Sequence, residues 1–276
     1  MKQVLNGKEA ALKIKETLKE KFSNLNTPAC LAIIHFNHPS SISYLKGRKR
    51  IAEEVGAIIK EYALDHTITE KEIINLINSL NVDNSIQGIM IDRPLPSHLN
   101  ENYILSFLSS KKDVDGYTTN NLGLLFKNES CFNCCTPYAA IRLLDYYNIP
   151  LQGKNVLVIG RSVNVGKPLA MALLNRNATV TIAHSKTTNL KELEYNADII
   201  FLAIGKANFL KADEVKSSTI IVDIGVNFDS NGKMCGDASK DIYEKCDCYS
   251  PVPGGVGILT NVVLMENLYE ACLINK

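Results

Sequence analysis

The stretch NVLVIGRSVNVGKPLAMALLNR, residues 155–176, decides the fold. It opens on NVLVIG, a near-unbroken apolar run of strand length, and closes on VGKPLAMALLNR, which carries helical apolar spacing. A glycine-bearing turn from strand to helix aims backbone N–H groups and a helix N-terminus at an anion. The spacing is Gly160 then Gly166, with Ser162 where the G-x-G-x-x-G pattern has its middle glycine. On the pattern alone, a plain tight turn and a phosphate-binding turn both stand.

Working outward toward the C-terminus, ATVTIAH (178–184), ADIIFLAIG (197–205) and STIIVDIG (218–225) read as further strands. Near-continuous Val, Ile and Leu in a strand means burial on both faces, as in a doubly wound parallel sheet. The second strand of this series ends on HSKT (184–187), not on the Asp or Glu that would accept the ribose hydroxyls of NAD. Arg161 inside the loop and Ser185 after that strand suit a 2′-phosphate, which favours NADP over NAD. Ser185 is also placed to cap a helix over NLKEL, and both roles are compatible.

Toward the N-terminus the pattern alternates β-α-β-α-β-α. A helix over 8–22 precedes a strand CLAIIHF (30–36), a helix over 43–56 ending at Gly56, and a strand AIIKEYAL (57–64). A helix over 69–81 follows, with Thr69 as N-cap and Glu72 completing a capping box. IQGIMID (86–92) is a strand broken by RPLP, and 101–110 is a helix. This is the pattern of a parallel sheet with crossover helices. A helix over 136–149 has Thr136 as its expected cap and Pro137 at its first position. The Pro/Gly-bearing PLQGKN (150–155) is the junction between the two series, and a last helix covers about 260–273.

The chain has 276 residues, a formal net charge of +1, 46% hydrophobic and 21% charged residues. That composition is ordinary for a globular protein and points to neither a nucleic-acid nor a membrane-surface partner. No run of about 18 apolar residues marks a membrane span. The polar, helix-patterned start lacks an apolar signal core, so a cytoplasmic protein is expected. Eight cysteines include Cys131 and Cys134 at C-x-x-C spacing, but no His lies near, and reduced thiols are expected rather than a metal site.

DRPLP, KDVDGY (112–117), CTP (135–137), GRSVNVGKP (160–168), AIGK (203–206), VDIGVN (222–227), GD (236–237) and PVPGGVG (251–257) occur in that order. Together, from about residue 4 to 273, they resemble the methylenetetrahydrofolate dehydrogenase/cyclohydrolase family. The resemblance implies a folate-binding catalytic domain over 1–136, to which the C-terminal helix (about 260–276) returns, and a Rossmann-type NADP-binding domain over 137–259. A cleft between them would hold the folate. It also implies oxidation of 5,10-methylenetetrahydrofolate by hydride transfer to NADP, hydrolysis of the methenyl product, and a homodimer joined through the NADP-binding domains. Carried over by position, Tyr44 stacks on the folate ring and Asp115 accepts from the pterin N–H edge. Pro251, Gly254, Gly255, Val256 and Gly257 line folate and nicotinamide. Gly160, Arg161, Ser162, Val165, Gly166, Ser185, Ile204, Gly205 and Val226 contact the cofactor.

The sequence departs from that family at two matched positions. In SISYLKGRKR (41–50) the family has Tyr-x-x-x-Lys, and here Arg48 stands four residues after Tyr44. Lys49 lies about 100° further round the helix. In IMIDRPLP the family has a glutamine that pairs with that lysine, and here the position is Asp92. A desolvated lysine can act as a base, whereas a guanidinium effectively keeps its proton. A bidentate Arg48–Asp92 pair is expected, with Arg48 lowering the basicity of Asp92. Dehydrogenase activity is therefore expected to survive, and cyclohydrolase activity to be weak or lost. Ile258, Ala139 and Ala238 stand where the family commonly has Pro, Gly and Val. The competing readings are another two-domain dehydrogenase, such as a shikimate or amino-acid enzyme, and a catalytically degenerate folate/NADP-binding paralogue.

Overall fold

The structure, a computed structural model, describes residues 2–36 and 39–274, with 39–43 described by backbone alone. In chain order the elements are β1 (Gln3–Val4), α1 (Gly7–Ser23), β2 (Cys30–His35), α2 (Pro39–Val55), β3 (Ile58–Ala63), α3 (Glu70–Val82) and β4 (Gly88–Ile91). Helices α4 (Glu101–Leu105), α5 (Thr119–Phe126) and α6 (Cys135–Tyr146) follow. Then come β5 (Asn155–Ile159), α7 (Gly166–Leu174), β6 (Thr179–Ala183), α8 (Leu190–Asn196), β7 (Ile199–Leu202) and β8 (Ile220–Asp223). The chain ends through β9 (Asn227–Phe228), β10 (Met234–Cys235), α9 (Ile242–Lys245), β11 (Cys248–Tyr249) and α10 (Val256–Ile274).

The chain divides into two compact units, one of Lys13–Asn133 with Asn261–Lys276 and the other of Met1–Leu12 with Cys134–Thr260. The first is built on a three-stranded parallel sheet of order β3-β2-β4. One sheet face, carrying Cys30, Ala32, Ile34, Ile89 and Ile91, packs with Ile73 and Ile77 of α3 and Ile104 of α4. The opposite face carries Ile33, His35 and Met90, because side chains alternate along a strand. The chain leaves β2, forms β3 on one side, then crosses to form β4 on the other. In such sheets the ligand crevice opens at the C-terminal ends of the strands flanking that reversal. Here those ends are His35 and Asp92, and the ladder runs on through the Asp92 N–H to the Ile34 carbonyl at 2.8 Å.

The second unit holds a six-stranded sheet of order β1-β11-β8-β7-β5-β6, parallel throughout. β5, β7 and β8 are buried almost end to end. β6 is an edge strand and mostly exposed. The reversal of strand order lies between β5 and β7, so the crevice of this unit opens at Gly160 and Ala203–Gly205.

Local signals held where they were strong. Thr69 caps α3 and Glu72 closes the capping box. Gly56 follows α2 with φ +88°, a conformation that favours glycine. Other expectations are corrected. The helix expected over 101–110 ends at Leu105, where the Ser106 hydroxyl donates to the Tyr103 carbonyl and the chain turns. Thr136 is not a cap: α6 begins at Cys135, the preceding Cys134 makes no side-chain cap bond, and Pro137 is the third helical residue. There Pro137 still removes one of the four amides that lack an intrahelical partner. The last helix starts at Val256, not near 260, so the end of PVPGGVG is its first turn.

The first residues belong to the six-stranded unit, not to the one expected from 1–136. β1 pairs with β11, the Gly7 N–H donates to the Gly254 carbonyl at 2.8 Å, and the Tyr147 hydroxyl accepts from the Asn6 N–H. α10 is long and apolar enough to cross a membrane by length and composition, and half of it is buried within the structure. Its Asn267 donates to the carbonyls of Val114 and Asn133, which anchors it as a core helix of the three-stranded unit.

Candidate active site

In the three-stranded unit, α2 places Tyr44 and Arg48 one turn apart on the same face. Tyr44 is 52% exposed, whereas Arg48 is 8% and Asp92 4% exposed. The Arg48 guanidinium carbon lies 6.0 Å from the Tyr44 ring centre. Arg48 Nη1 donates to Asp92 Oδ1 at 2.6 Å. The expected pair therefore forms, but through one bond and not two. Among the described residues, Arg48 Nε and Asp92 Oδ2 are buried without a hydrogen-bond partner.

The electrostatics of Asp92 also differ from expectation. Burial raises its carboxyl above the ordinary carboxylate value, and the attraction of Arg48 only partly offsets this. Desolvation thus outweighs the cation, so Asp92 is more basic than a free carboxylate. Two other cations of SISYLKGRKR pair with acids other than Asp92. Lys49 pairs with Glu61 on β3, and Arg50 is exposed beside Glu54. His35 is buried beside Glu61, with Nε2 2.9 Å from Oε1.

KDVDGY separates into supporting and presenting residues. The Lys112 ammonium donates to the carbonyls of Leu80 and Asp83, which ties the loop to the end of α3. Asp113 accepts from the N–H groups of Gly116 and Thr118 and from the Asn121 amide. Asp115 is the member held at the site, accepting from Arg93 at 3.1 Å. Arg93 also pairs with Glu101 and lies 4.1 Å from the Tyr117 ring centre. Arg93, to which no motif gives a role, thus orients Asp115.

In the six-stranded unit, the loop after β5 is built by close approach. A Cβ on Gly160 would collide with the Ala203 carbonyl, and one on Gly166 with the Gly160 carbonyl. Gly160 also has φ +133°. Ser162 Oγ accepts from the Val165 and Gly166 N–H groups at the start of α7, so its hydroxyl shapes the loop. Arg161 and Ser185 are exposed. Ser185 does not cap α8, whose N-cap position is Asn189.

The segment AIGK is held by a residue to which sequence reading gave no role. Asp237 accepts from the N–H groups of Ile204, Gly205 and Lys206 at 2.8, 3.1 and 2.7 Å, and from the Asn227 amide at 2.9 Å. Asp223 accepts from the Gly225, Asp237 and Ala238 N–H groups. The only signal was the GD motif itself, since an acid after glycine has no local meaning. Burial raises the Asp223 carboxyl to about 7, with the Asp237 charge adding to the rise. Val226 is exposed and Ile204 half-buried at this end of the sheet. Pro251, Gly254 and Gly255 lead into α10, whose first residues are Val256 and Gly257.

One unit thus presents an exposed aromatic face beside oriented carboxylates, and the other a tight glycine-built strand-to-helix turn where the strand order reverses. Fold and sites define a two-domain nucleotide-dependent enzyme of the α/β class. The family models for the tetrahydrofolate dehydrogenase/cyclohydrolase catalytic domain and NAD(P)-binding domain match residues 5–115 and 134–276. The chain is 44% identical over 272 residues to the bifunctional protein FolD of Clostridium novyi (strain NT), covering 96% of this chain and 98% of that one. Its structure is similar to that of the bifunctional FolD methylenetetrahydrofolate dehydrogenase/cyclohydrolase of Campylobacter jejuni, with TM-score 0.97, 40% identity and full coverage of both chains. It is also similar to the Trypanosoma brucei dehydrogenase-cyclohydrolase solved with NADP and an inhibitor, at TM-score 0.92 and 26% identity, covering 99% of this chain and 98% of that one. The chain belongs to the tetrahydrofolate dehydrogenase/cyclohydrolase family.

Proposed function

We propose that this chain oxidises 5,10-methylenetetrahydrofolate to the methenyl form with NADP, and that hydrolysis of the methenyl product is its slower activity. The observation that carries this reading is the buried Arg48–Asp92 pair beside the exposed Tyr44 ring. It supplies a stacking face and fixed charge, but no lysine. NADP supplies the hydride acceptor. The residues present fit it: Gly160 and Gly166 let the turn pack tightly against Ala203 and against itself just ahead of the α7 N-terminus, and Arg161 and Ser185 offer a cation and a hydroxyl in segments without an acid beside them.

The chain's own work in the oxidation is alignment. Tyr44 offers its ring to the folate, and Asp115, fixed by Arg93, accepts from the pterin N–H edge. An ionised Asp92 favours a cationic product electrostatically. Arg48 balances Asp92 but keeps its proton, so the step that needs a mobile proton loses the group the family uses. General acid–base catalysis is worth about 10²–10⁴-fold, so hydrolysis is slowed on that order unless another group serves. A silent paralogue is not favoured, because the aromatic face, the oriented carboxylate and the glycine-built turn are all present.

The chain is further proposed to act in the cytoplasm as a homodimer joined through the six-stranded unit. The exposed edge strand β6, with Ile182 36% and the neighbouring Leu174 52% exposed, supports this. Purified protein given methylenetetrahydrofolate and NADP should form NADPH. Binding of both without NADPH formation would refute the proposal.

A further inference from the structure

We propose that Asp92 is the proton acceptor for methenyl hydrolysis in this chain, and that His35 and Glu61 carry the proton from it to solvent. This rests on the folate reading of the site given above.

The argument begins with sheet register. The strand order is β3-β2-β4, and Ile34 pairs with Ile91. Alternation then puts Asp92 on the same face as its neighbour His35. Glu61 pairs with Ile33, which shares that face, and its carboxylate reaches His35. Glu61, His35 and Asp92 therefore line up on one face across all three strands, with a hydrogen bond between His35 and Glu61 and charge interaction between His35 and Asp92. Buried polar groups in a sheet this small are costly unless they interact.

The row runs from dry to wet. Asp92 and His35 are buried, whereas the Glu61 side chain is one-third exposed and pairs with the exposed Lys49. Hydrogen bonds from Lys49 and then His35 hold the Glu61 carboxyl below its ordinary value. Only one oxygen of Asp92 is taken by Arg48, and Oδ2 has no donor among the described residues. A bidentate fork would have engaged both oxygens. The charged or titratable groups acting on Asp92 are Arg48 from α2, His35 from β2 and the adjacent Arg93. All three favour the carboxylate, and burial opposes them and prevails. Arg48 cannot exchange its proton, and Lys49 is committed to Glu61.

The chemistry balances without any further reactant. Water oxygen bonds to the one-carbon bridge of the methenyl cation as one water proton passes to Asp92 Oδ2. The bond from that carbon to N5 then breaks, N5 takes the electron pair and the remaining hydroxyl proton, and the formyl carbonyl forms on N10. One proton is released overall, and it leaves by His35 and Glu61.

The test measures methenyltetrahydrofolate hydrolysis above the spontaneous rate across pH, alongside NADPH formation by the same preparations. Wild type should hydrolyse with a rate that rises with pH through one titration. Asp92→Asn should lose about 10²-fold or more of that rate and its pH dependence. Asp92→Glu should keep a slower rate that still titrates, which a structural role would not predict. His35→Gln should hydrolyse slowly at low buffer and recover with added imidazole. Hydrolysis by Asp92→Asn within about twofold of wild type would overturn the proposal. So would wild type that forms NADPH but shows no catalysed hydrolysis. Absence of NADPH formation as well would overturn the folate reading itself.

Discussion

Asp237 offers the sharpest test of how the cofactor-side loop is built. Its carboxylate accepts three successive backbone N–H groups, from Ile204, Gly205 and Lys206, plus the Asn227 amide. Asp237→Ala removes the acceptor and leaves all four donors in place. A hydrogen bond to a charged group is worth about 1.5–3 kcal/mol. Because these amides are only part-buried, water recovers some of that, so the lower half of the range applies to each. A loss of about 1.5–2 kcal/mol in local opening free energy is about a 10- to 30-fold faster exchange. Hydrogen exchange at the three amides reads this directly, without requiring two-state unfolding of a two-unit chain. Asp237→Asn should fall in between, since it keeps one acceptor oxygen and removes a charge that adds to the rise of the Asp223 carboxyl. Unchanged exchange at 204–206 in Asp237→Ala would refute the assignment.

Three further outcomes are expected. Arg48→Ala should destabilise by about 3–5 kcal/mol, because it strands a buried carboxylate; the cost should shrink at low pH, where Asp92 is neutral, and denaturant titration at two pH values measures it. Burial, then the charge of Glu214, raises Glu194 from its ordinary 4.5 to about 7. Its folded-state value is raised, so its contribution is full below about 4.5 and is lost as pH rises through about 7. Glu194→Gln should therefore raise Tm at pH 8, by at most about 3 kcal/mol of stability, and leave it unchanged at pH 4. Arg161→Ser should raise KM for NADP about tenfold with little effect on NAD, consistent with loss of one charged phosphate contact of about 1.4 kcal/mol; equal effects on both would exclude Arg161 from 2′-phosphate recognition.

Much of this was legible from residue spacing. The strands at 30–36, 57–64 and 155–160 were visible as apolar runs, and Thr69 with Glu72 as a capping box, because period and capping are local properties of the chain. The helix expected over 101–110 stops early because the Ser106 hydroxyl donates to the Tyr103 carbonyl where the chain turns, a competition that propensity alone does not settle. Thr136 was misplaced because α6 starts without any side-chain cap. The motifs marked both regions and the resemblance singled out Asp115, but only the structure shows that Asp113 braces its loop while Arg93 holds Asp115.

The sequence by itself determined that two parallel α/β units exist, that one carries a glycine-bearing strand-to-helix turn at Gly160–Gly166, and that Arg48 stands four residues after Tyr44 and Asp92 just before RPLP. Tertiary structure alone decided how those two residues meet. Strand order put His35 between Glu61 and Asp92, and helix position limited Arg48 to one oxygen of the carboxylate. Whether Asp92 is more or less basic than usual depends on desolvation against a neighbouring cation. Burial is set by everything packed around a residue, so the spacing of residues along the chain could name the partners but not the winner.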